Sequence, residues 1–453
     1  MRKAGLAILL IFALGSAARA DEVTAWNRTL FRSGVVASVS SQNMSRSAAM
    51  VQTAVFDAVN GIERRYTPIF VSPAGPAGAS SSAAATQAAY SILSRLFGQG
   101  GVFTPNQQAN LDASLAASLA RIATHDSAAA ILSGRAWGQT VADAIYNLRS
   151  TDGFNLNPPV WDGLPATLGR WRQTPNDPYP GVSTKGVGFP QYSSMVPWSI
   201  QSPSQFRPAG PPALTSAQYA KDFNETKLMG SQTSTARSSD QTVYSWFWAS
   251  GTAGSLWNHV AVSLLEPRGE NRFDAKNDDA KRDGKDNNDR KDSRADSTLL
   301  RNARVLAALD IAMADATIGC WDAKYTLAYT FWRPITAIRE TADDGNAATT
   351  PDPAWTPLFA TPAHPEYPSG HSCVSGAATA ILANEFGERR HFDMTSDLLL
   401  GVTRSFRSFT DALEEVKNAR IFAGIHFRTA CDDGTTIGKQ VAQWVLDHNF
   451  QRR

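Results

Sequence analysis

The chain has 453 residues, 43% of them apolar, with 12 Trp and a formal charge of +2. That length allows one large or two ordinary domains, and the apolar share is enough for a sizeable core. Near-neutral charge excludes a broad basic face for nucleic acid and excludes a chain that is disordered throughout.

Arg2 and Lys3 precede an apolar run from Leu6 to Leu14, and Ala18-Arg19-Ala20 follows as a small-x-small triplet. This pattern predicts an export signal over residues 1–20, a mature chain from Asp21 and a periplasmic or extracellular location. No later stretch reaches the ~18 uncharged apolar residues that a membrane span needs, so no span is expected.

Residues 21–265 read as a helical half. Apolar residues recur at helical spacing over Ser45 to Ile62, Ala83 to Phe97, Asn106 to Ile122 and Ser127 to Leu148, and these stretches lack alternating β-branched runs. Between 151 and 215 the composition turns to Pro, Gly and Trp. A structureless stretch this long in a folded domain is usually functional, and it is expected to help wall a substrate entrance. Helix signals resume near Thr215. In the segment from Tyr244 to Leu265, His259 is either a ligand or an ordinary core histidine.

Residues 266–297 carry ten acidic and nine basic residues, with Phe273 the one large apolar side chain. Such a stretch cannot build a core and reads as a flexible insert or linker. From Thr298 to the end, helical patterns return over Leu299 to Asp322 and onward to Lys324, after Pro368-Ser369-Gly370-His371, over Ser396 to Ile425 and over Thr435 to His448. Pro334 disfavours helix at the residue before it, so Arg333 is expected where its helix ends. The three cysteines, Cys320, Cys373 and Cys431, allow at most one internal disulfide. Cys373 with Cys431 is the candidate pair, and three buried thiols are the alternative.

The chemistry concentrates in 298–453. A helix that begins at Pro-Ser-Gly-His directs free N–H groups and a positive dipole end at one spot, which suits an oxyanion. Lys324, Arg333, Arg420, the Ser369 hydroxyl and the Gly370 N–H form a donor set suited to a tetrahedral oxyanion such as phosphate. His371 and His426 add one group that can bind or attack the central atom and one that can exchange protons. Taken singly, each has a mundane reading: the cations as surface charges, Arg420 as a partner of Glu414 or Glu415, His426 as a core histidine.

Taken together, the lysine, Arg333-Pro334, Pro368 to His371, and Arg420 with His426 six residues on resemble the vanadium-dependent haloperoxidase branch of the type 2 phosphatidic acid phosphatase superfamily. The words WDAKY, FWRPITAIR, HPEYPSGH and GIHFR resemble it too, and AMVQTAVFDAVN extends a weaker likeness toward the N-terminus. The resemblance implies an all-α fold of two four-helix-bundle-like halves around one oxyanion site. It implies vanadate as cofactor, coordinated by His426. Lys324, Arg333, Arg420, Ser369 and the Gly370 N–H would hold the equatorial oxygens, with His371 as the acid–base residue. Hydrogen peroxide, a halide and a small organic acceptor would be the partners, with nucleic acid excluded and the oligomeric state left open. The alternative is an exported acid phosphatase that hydrolyses phosphate monoesters through a phosphohistidine at His426.

Several positions depart from the family pattern. Lys324 and Arg333 stand farther apart than usual, and a nine-residue step on a regular helix would set them about 180° apart. The aspartate common four residues after His426 is replaced by Ala430, and Ser250 stands where chloride-type relatives support the acid–base histidine with a carboxylate. For the halide, His364 resembles bromide-type relatives and Trp321 chloride-type ones, which gives bromide or iodide a slight preference.

Overall fold

The computed structural model describes residues 21–99, 102–156, 167–174, 188–266 and 297–453. The segment 1–20, nearly all of 266–297 and parts of 151–215 lie outside the described residues. Among the described residues there are thirteen α-helices: α1 Glu22–Val36, α2 Ser41–Glu63, α3 Ser81–Leu93, α4 Pro105–Ile122, α5 Ala128–Arg149, α6 Ala217–Gly230, α7 Ser239–Ala249, α8 Ala253–Leu265, α9 Thr298–Tyr325, α10 Pro334–Glu340, α11 Gly370–Phe386, α12 Phe409–Phe422 and α13 Arg428–His448. The single sheet is an antiparallel hairpin of β1 Phe392–Ser396 and β2 Leu399–Phe406.

Most helices begin behind a residue that can cap them. The side chains of Asp21, Ser40, Ser80, Thr104, Ser127, Ser238, Thr252 and Ser297 each accept a backbone N–H three residues on. Each such cap stabilises its helix by about 1 kcal/mol. Helix α9 is 28 residues long and buried on all sides from Val305 to Lys324, the pattern of a central helix. It packs on α2 along one flank and on α11 and α13 along the other. The N-terminal helices α2, α3 and α5 therefore share their core with the C-terminal set through one helix.

Helices α11 and α13 meet backbone to backbone. A Cβ at Gly438 would stand 2.1 Å from the Cys373 carbonyl oxygen, and one at Gly376 would stand 2.6 Å from that of Thr435. Glycine is required here for packing. Gly438→Ala is expected to cost about 1–3 kcal/mol by overpacking, read as a lower urea midpoint. An unchanged midpoint would mean the two helices are not in this contact.

Two elements differ from the sequence reading. Helix α1 was not expected over 22–36. The helical pattern assigned from Ser396 to Ile425 covers hairpin and helix, because β1 alternates buried Phe392, Met394 and Ser396 with exposed neighbours. Gly401 takes a φ of 80° that interrupts any helix through LLLGVTRSF. The described part of 151–215 wraps α9: Asp315 accepts the N–H groups of Trp198, Ser199 and Ile200 at 2.7, 2.7 and 2.9 Å, and Arg207 forks onto Asp322.

Candidate functional site

Helix α11 begins at Gly370 with Ser369 as its cap residue, yet the Ser369 side chain makes no capping bond. Its hydroxyl is fully buried without a hydrogen-bond partner of ordinary geometry, beside the weak thiol of Cys431. A buried hydroxyl left this way costs about 1–3 kcal/mol, so the position suits a ligand oxygen. Gly370 lets the Trp321 indole close over the helix end, since a Cβ there would sit 3.1 Å from the ring. The indole is itself fixed by a 2.9 Å bond from Nε1 to the Gly188 carbonyl.

Beyond this helix end lies a cavity of about 170 Å³ lined by Trp321, His364, Gly370, His371, Arg420 and His426, among others. His426 is 3% exposed. Its Nδ1 lies 2.8 Å from Glu366 Oε1, which also accepts the Phe427 N–H at 2.9 Å. An oxygen already accepting a backbone N–H takes a second proton donor, so Nδ1 carries the proton. On the other side of the ring, Arg333 Nη1 stands 3.2 Å from Nε2 and can only donate. Both neighbours thus assign the same tautomer, with the lone pair on Nε2; it accepts from Arg333, and an electrophilic centre at Nε2 would take that donor's place.

His371 Nε2 lies 3.1 Å from the Trp248 carbonyl oxygen, so Nε2 carries the proton and Nδ1 the lone pair. Burial, then the Arg420 charge, hold its pKa well below the ordinary imidazole value. His371 is therefore a neutral base in the resting site. The Trp248 carbonyl also accepts from Arg420 at 3.4 Å, and Arg420 Nε is buried without a partner. His364 Nδ1 lies between Arg333 Nη2 at 3.1 Å and the Pro365 carbonyl oxygen at 3.2 Å.

Cations outnumber anions in this buried region. Lys324, Arg333 and Arg420 are 0%, 0% and 4% exposed. Burial pushes Lys324 down to about 8 and both arginines down to about 10. Glu366 is the carboxylate that contacts the cluster, and burial pushes it up to about 7. Buried charge without a partner is costly, and an anion in the cavity would offset it. Among the described residues no group of His, Cys, Asp and Glu is arranged to hold a metal cation, so the donor set fits an oxyanion.

Residues 304–452 match the family model of the VCPO second helical-bundle domain. A crystal structure of a bacterial vanadium-dependent iodoperoxidase is similar at 24% identity and a TM-score of 0.70, covering 95% of this chain and 97% of the other. Bacterial vanadium-dependent chloroperoxidase structures are similar as well: the holo-type at 17% identity and TM-score 0.64, covering 95% and 96%, and the apo-type at 16% and 0.62, covering 90% and 92%. No curated protein sequence matches the chain. The chain has the helical fold of these bacterial vanadium haloperoxidase structures, and its C-terminal third matches the VCPO second helical-bundle domain.

Within that haloperoxidase fold, the nine-residue step from Lys324 to Arg333 has a simple geometry. Helix α9 stops at Tyr325, a 3₁₀ turn spans Leu327–Tyr329, and Phe331 bridges to Arg170 before α10 starts. Arg333 has left the helix, and it reaches His426, His364 and the Ile425 carbonyl. Lys324 sits one layer back. It donates to the carbonyls of Pro365 and Glu366 at 3.0 Å each and to that of Pro368, and so holds the loop that carries Glu366 and Ser369.

Glu366 was missed by sequence reasoning. It stands inside HPEYPSGH, and the absent aspartate after His426 was the available signal that another carboxylate must serve that ring. Ser250 is not at His371; its hydroxyl bonds the Phe247 carbonyl and Ser396, and the Trp248 carbonyl takes the place of a carboxylate. Cys320, Cys373 and Cys431 are all free and buried, so the Cys373–Cys431 disulfide is not formed. No described residue of 151–215 lines the cavity; Gly188 acts on it through Trp321.

Proposed function

We propose that the chain is a vanadate-dependent haloperoxidase that oxidises iodide or bromide with hydrogen peroxide. The observation that carries this reading is the His426 ring: Nδ1–H is tied to Glu366, and the ring lines a cavity together with Arg420, with Arg333 at its Nε2. His426 Nε2 would hold vanadate, with Arg333, Arg420, the Ser369 hydroxyl and the Gly370 N–H as donors to its oxygens; Lys324, expected among them, spends its three N–H groups on the Pro365, Glu366 and Pro368 carbonyls and adds its charge from behind the loop. Bound there, vanadate would supply a Lewis-acidic centre that activates hydrogen peroxide toward a halide without changing oxidation state. The chain's own groups do the rest. The arginines and Lys324 offset negative charge in a site screened from water. His371 Nδ1 accepts a proton from the incoming peroxide and returns it to the departing oxygen.

The His364 ring and the Trp321 indole, 5.4 Å apart between ring centroids, form a polarisable wall for a large halide. The likeness to the iodoperoxidase structure agrees with iodide or bromide. The export pattern of residues 1–20 places this activity outside the cytoplasm in the same proposal.

Glu366 fixes the His426 tautomer in this account. Glu366→Leu is expected to weaken vanadate binding by about 10–100-fold, the usual effect of losing the partner of a liganding histidine. Glu366→Gln keeps an acceptor oxygen and loses less. Equilibrium dialysis with orthovanadate checks both, and wild-type affinity in Glu366→Leu would remove Glu366 from the account.

A further inference from the structure

A second cavity, of about 340 Å³, is lined by chain neighbours of residues that line the first. Ser41 and Gln42 border the vanadate-site cavity while Ser38, Val39 and Met44 border the second; Ala253 borders the first while Gly251, Thr252 and Ser255 border the second. The larger volume falls in the range of small-molecule sites, roughly 300–1,000 Å³. Phe31, Val39, Met44 and Leu256 give it apolar walls.

Its polar lining is Ser38, Thr252, Ser255, Ser396, His259 and Asp397, and the last two form a pair whose Asp397 side chain is 57% exposed, at the solvent side. His259 Nε2 stands 3.6 Å from Asp397 Oδ2, too far for a good hydrogen bond and close enough for one hydroxyl to reach both. Burial holds His259 below the ordinary imidazole value, which leaves the ring neutral. His259 is thus not the core histidine that its place in an apolar helix suggests, since 29% of its side chain is exposed. Ser38 and Gly251, with φ of 53° and 84°, close the helices α1 and α7 that bound the cavity.

We propose that this second cavity binds the organic acceptor as a small phenol, its ring between the apolar walls and its hydroxyl between His259 and Asp397. This rests on the haloperoxidase reading for the source of the halogen. A hypohalous acid from the neighbouring site supplies the electrophile: the ring carbon–halogen bond forms, the oxygen–halogen bond breaks, and the displaced ring proton leaves with the hydroxide as water. The phenol O–H donates to the Asp397 carboxylate, which raises electron density on the ring at the carbons that are attacked.

The test is binding of 4-fluorophenol to the purified full chain, followed by ¹⁹F NMR, with 4-fluoroanisole as the probe lacking the hydroxyl. His259→Phe removes one polar partner, and Val35→Trp fills the mouth of the cavity without entering the core. Each variant is expected to weaken 4-fluorophenol binding by about tenfold, as loss of a hydrogen bond or of space requires. Vanadate-dependent formation of triiodide, which needs no organic acceptor, is expected to stay at the wild-type rate in both. Equal binding by wild type and both variants, equal binding of 4-fluoroanisole, or no binding of 4-fluorophenol at millimolar concentration would overturn the assignment. Absence of triiodide formation in the wild type would sink the haloperoxidase reading instead, with the binding result still readable.

Discussion

His426→Ala is expected to lose vanadate binding and to lower peroxide-dependent iodide oxidation by about 10²–10³-fold or more, the effect of deleting one group aimed at the reacting centre. The geometry gives no replacement for it. His426 lines the cavity with its Nδ1 tied to the Glu366 carboxylate, which leaves the lone pair on Nε2. His371 offers Nδ1, but its ring is anchored to the Trp248 carbonyl. His364 has no carboxylate partner; its Nδ1 lies between Arg333 and the Pro365 carbonyl. Truncation leaves Glu366 with the Phe427 N–H as its remaining direct partner, so a folding cost of about 1–3 kcal/mol accompanies the loss. The two effects separate by measurement: circular dichroism reports the fold, and equilibrium dialysis reports vanadate. Added imidazole is expected to restore part of the binding. Full vanadate affinity in folded His426→Ala would place the ligand elsewhere.

Asp315→Ala is expected to produce the largest loss of stability, about 3–9 kcal/mol, from three backbone N–H groups left without an acceptor at about 1–3 kcal/mol each. That is a large share of the roughly 5–15 kcal/mol by which domains are usually stable. Asp315 is 0% exposed on α9. Its two oxygens divide the work, Oδ1 taking Trp198 and Oδ2 taking both Ser199 and Ile200. Asp315→Asn with its oxygen toward Ser199 and Ile200 keeps two of the three bonds, so its cost is expected to be about 1–3 kcal/mol. Urea unfolding monitored by tryptophan fluorescence orders the three proteins. A stability loss under about 1 kcal/mol in Asp315→Ala would mean that water or another group satisfies the segment.

Residues acting through local pattern were legible in the sequence. Helices α4 and α5 follow from amphipathic spacing and α2 and α9 from apolar residues at helical spacing, all with capping residues at their starts, though α2 and α9 are buried on every side rather than on one. Ser369, Gly370 and His371 were legible because loop, cap and helix are adjacent in the chain. The hairpin was not: LLLGVTRSF holds enough leucine to read as helix, and its strand character depends on Phe392 and Phe406 stacking 5.5 Å apart across β1 and β2. Glu366 was not legible as a partner of His426, because sixty residues separate them and only the fold brings them to 2.8 Å. The service of a backbone carbonyl at Trp248 to His371 leaves no trace in side-chain identity at all. The long step from Lys324 to Arg333 looked like a defect under the assumption of one continuous helix; with α9 ending at Tyr325 the extra residues form the turn that delivers Arg333.

The account stands most directly on one assay: peroxide-dependent oxidation of iodide to triiodide by the purified chain, with and without added orthovanadate. It predicts activity that appears with vanadate, is suppressed by excess phosphate and is lost in His426→Ala. No iodide or bromide oxidation under any vanadate loading, together with vanadate-inhibited hydrolysis of an aryl phosphate, would contradict it and make the same buried oxyanion site that of a phosphatase.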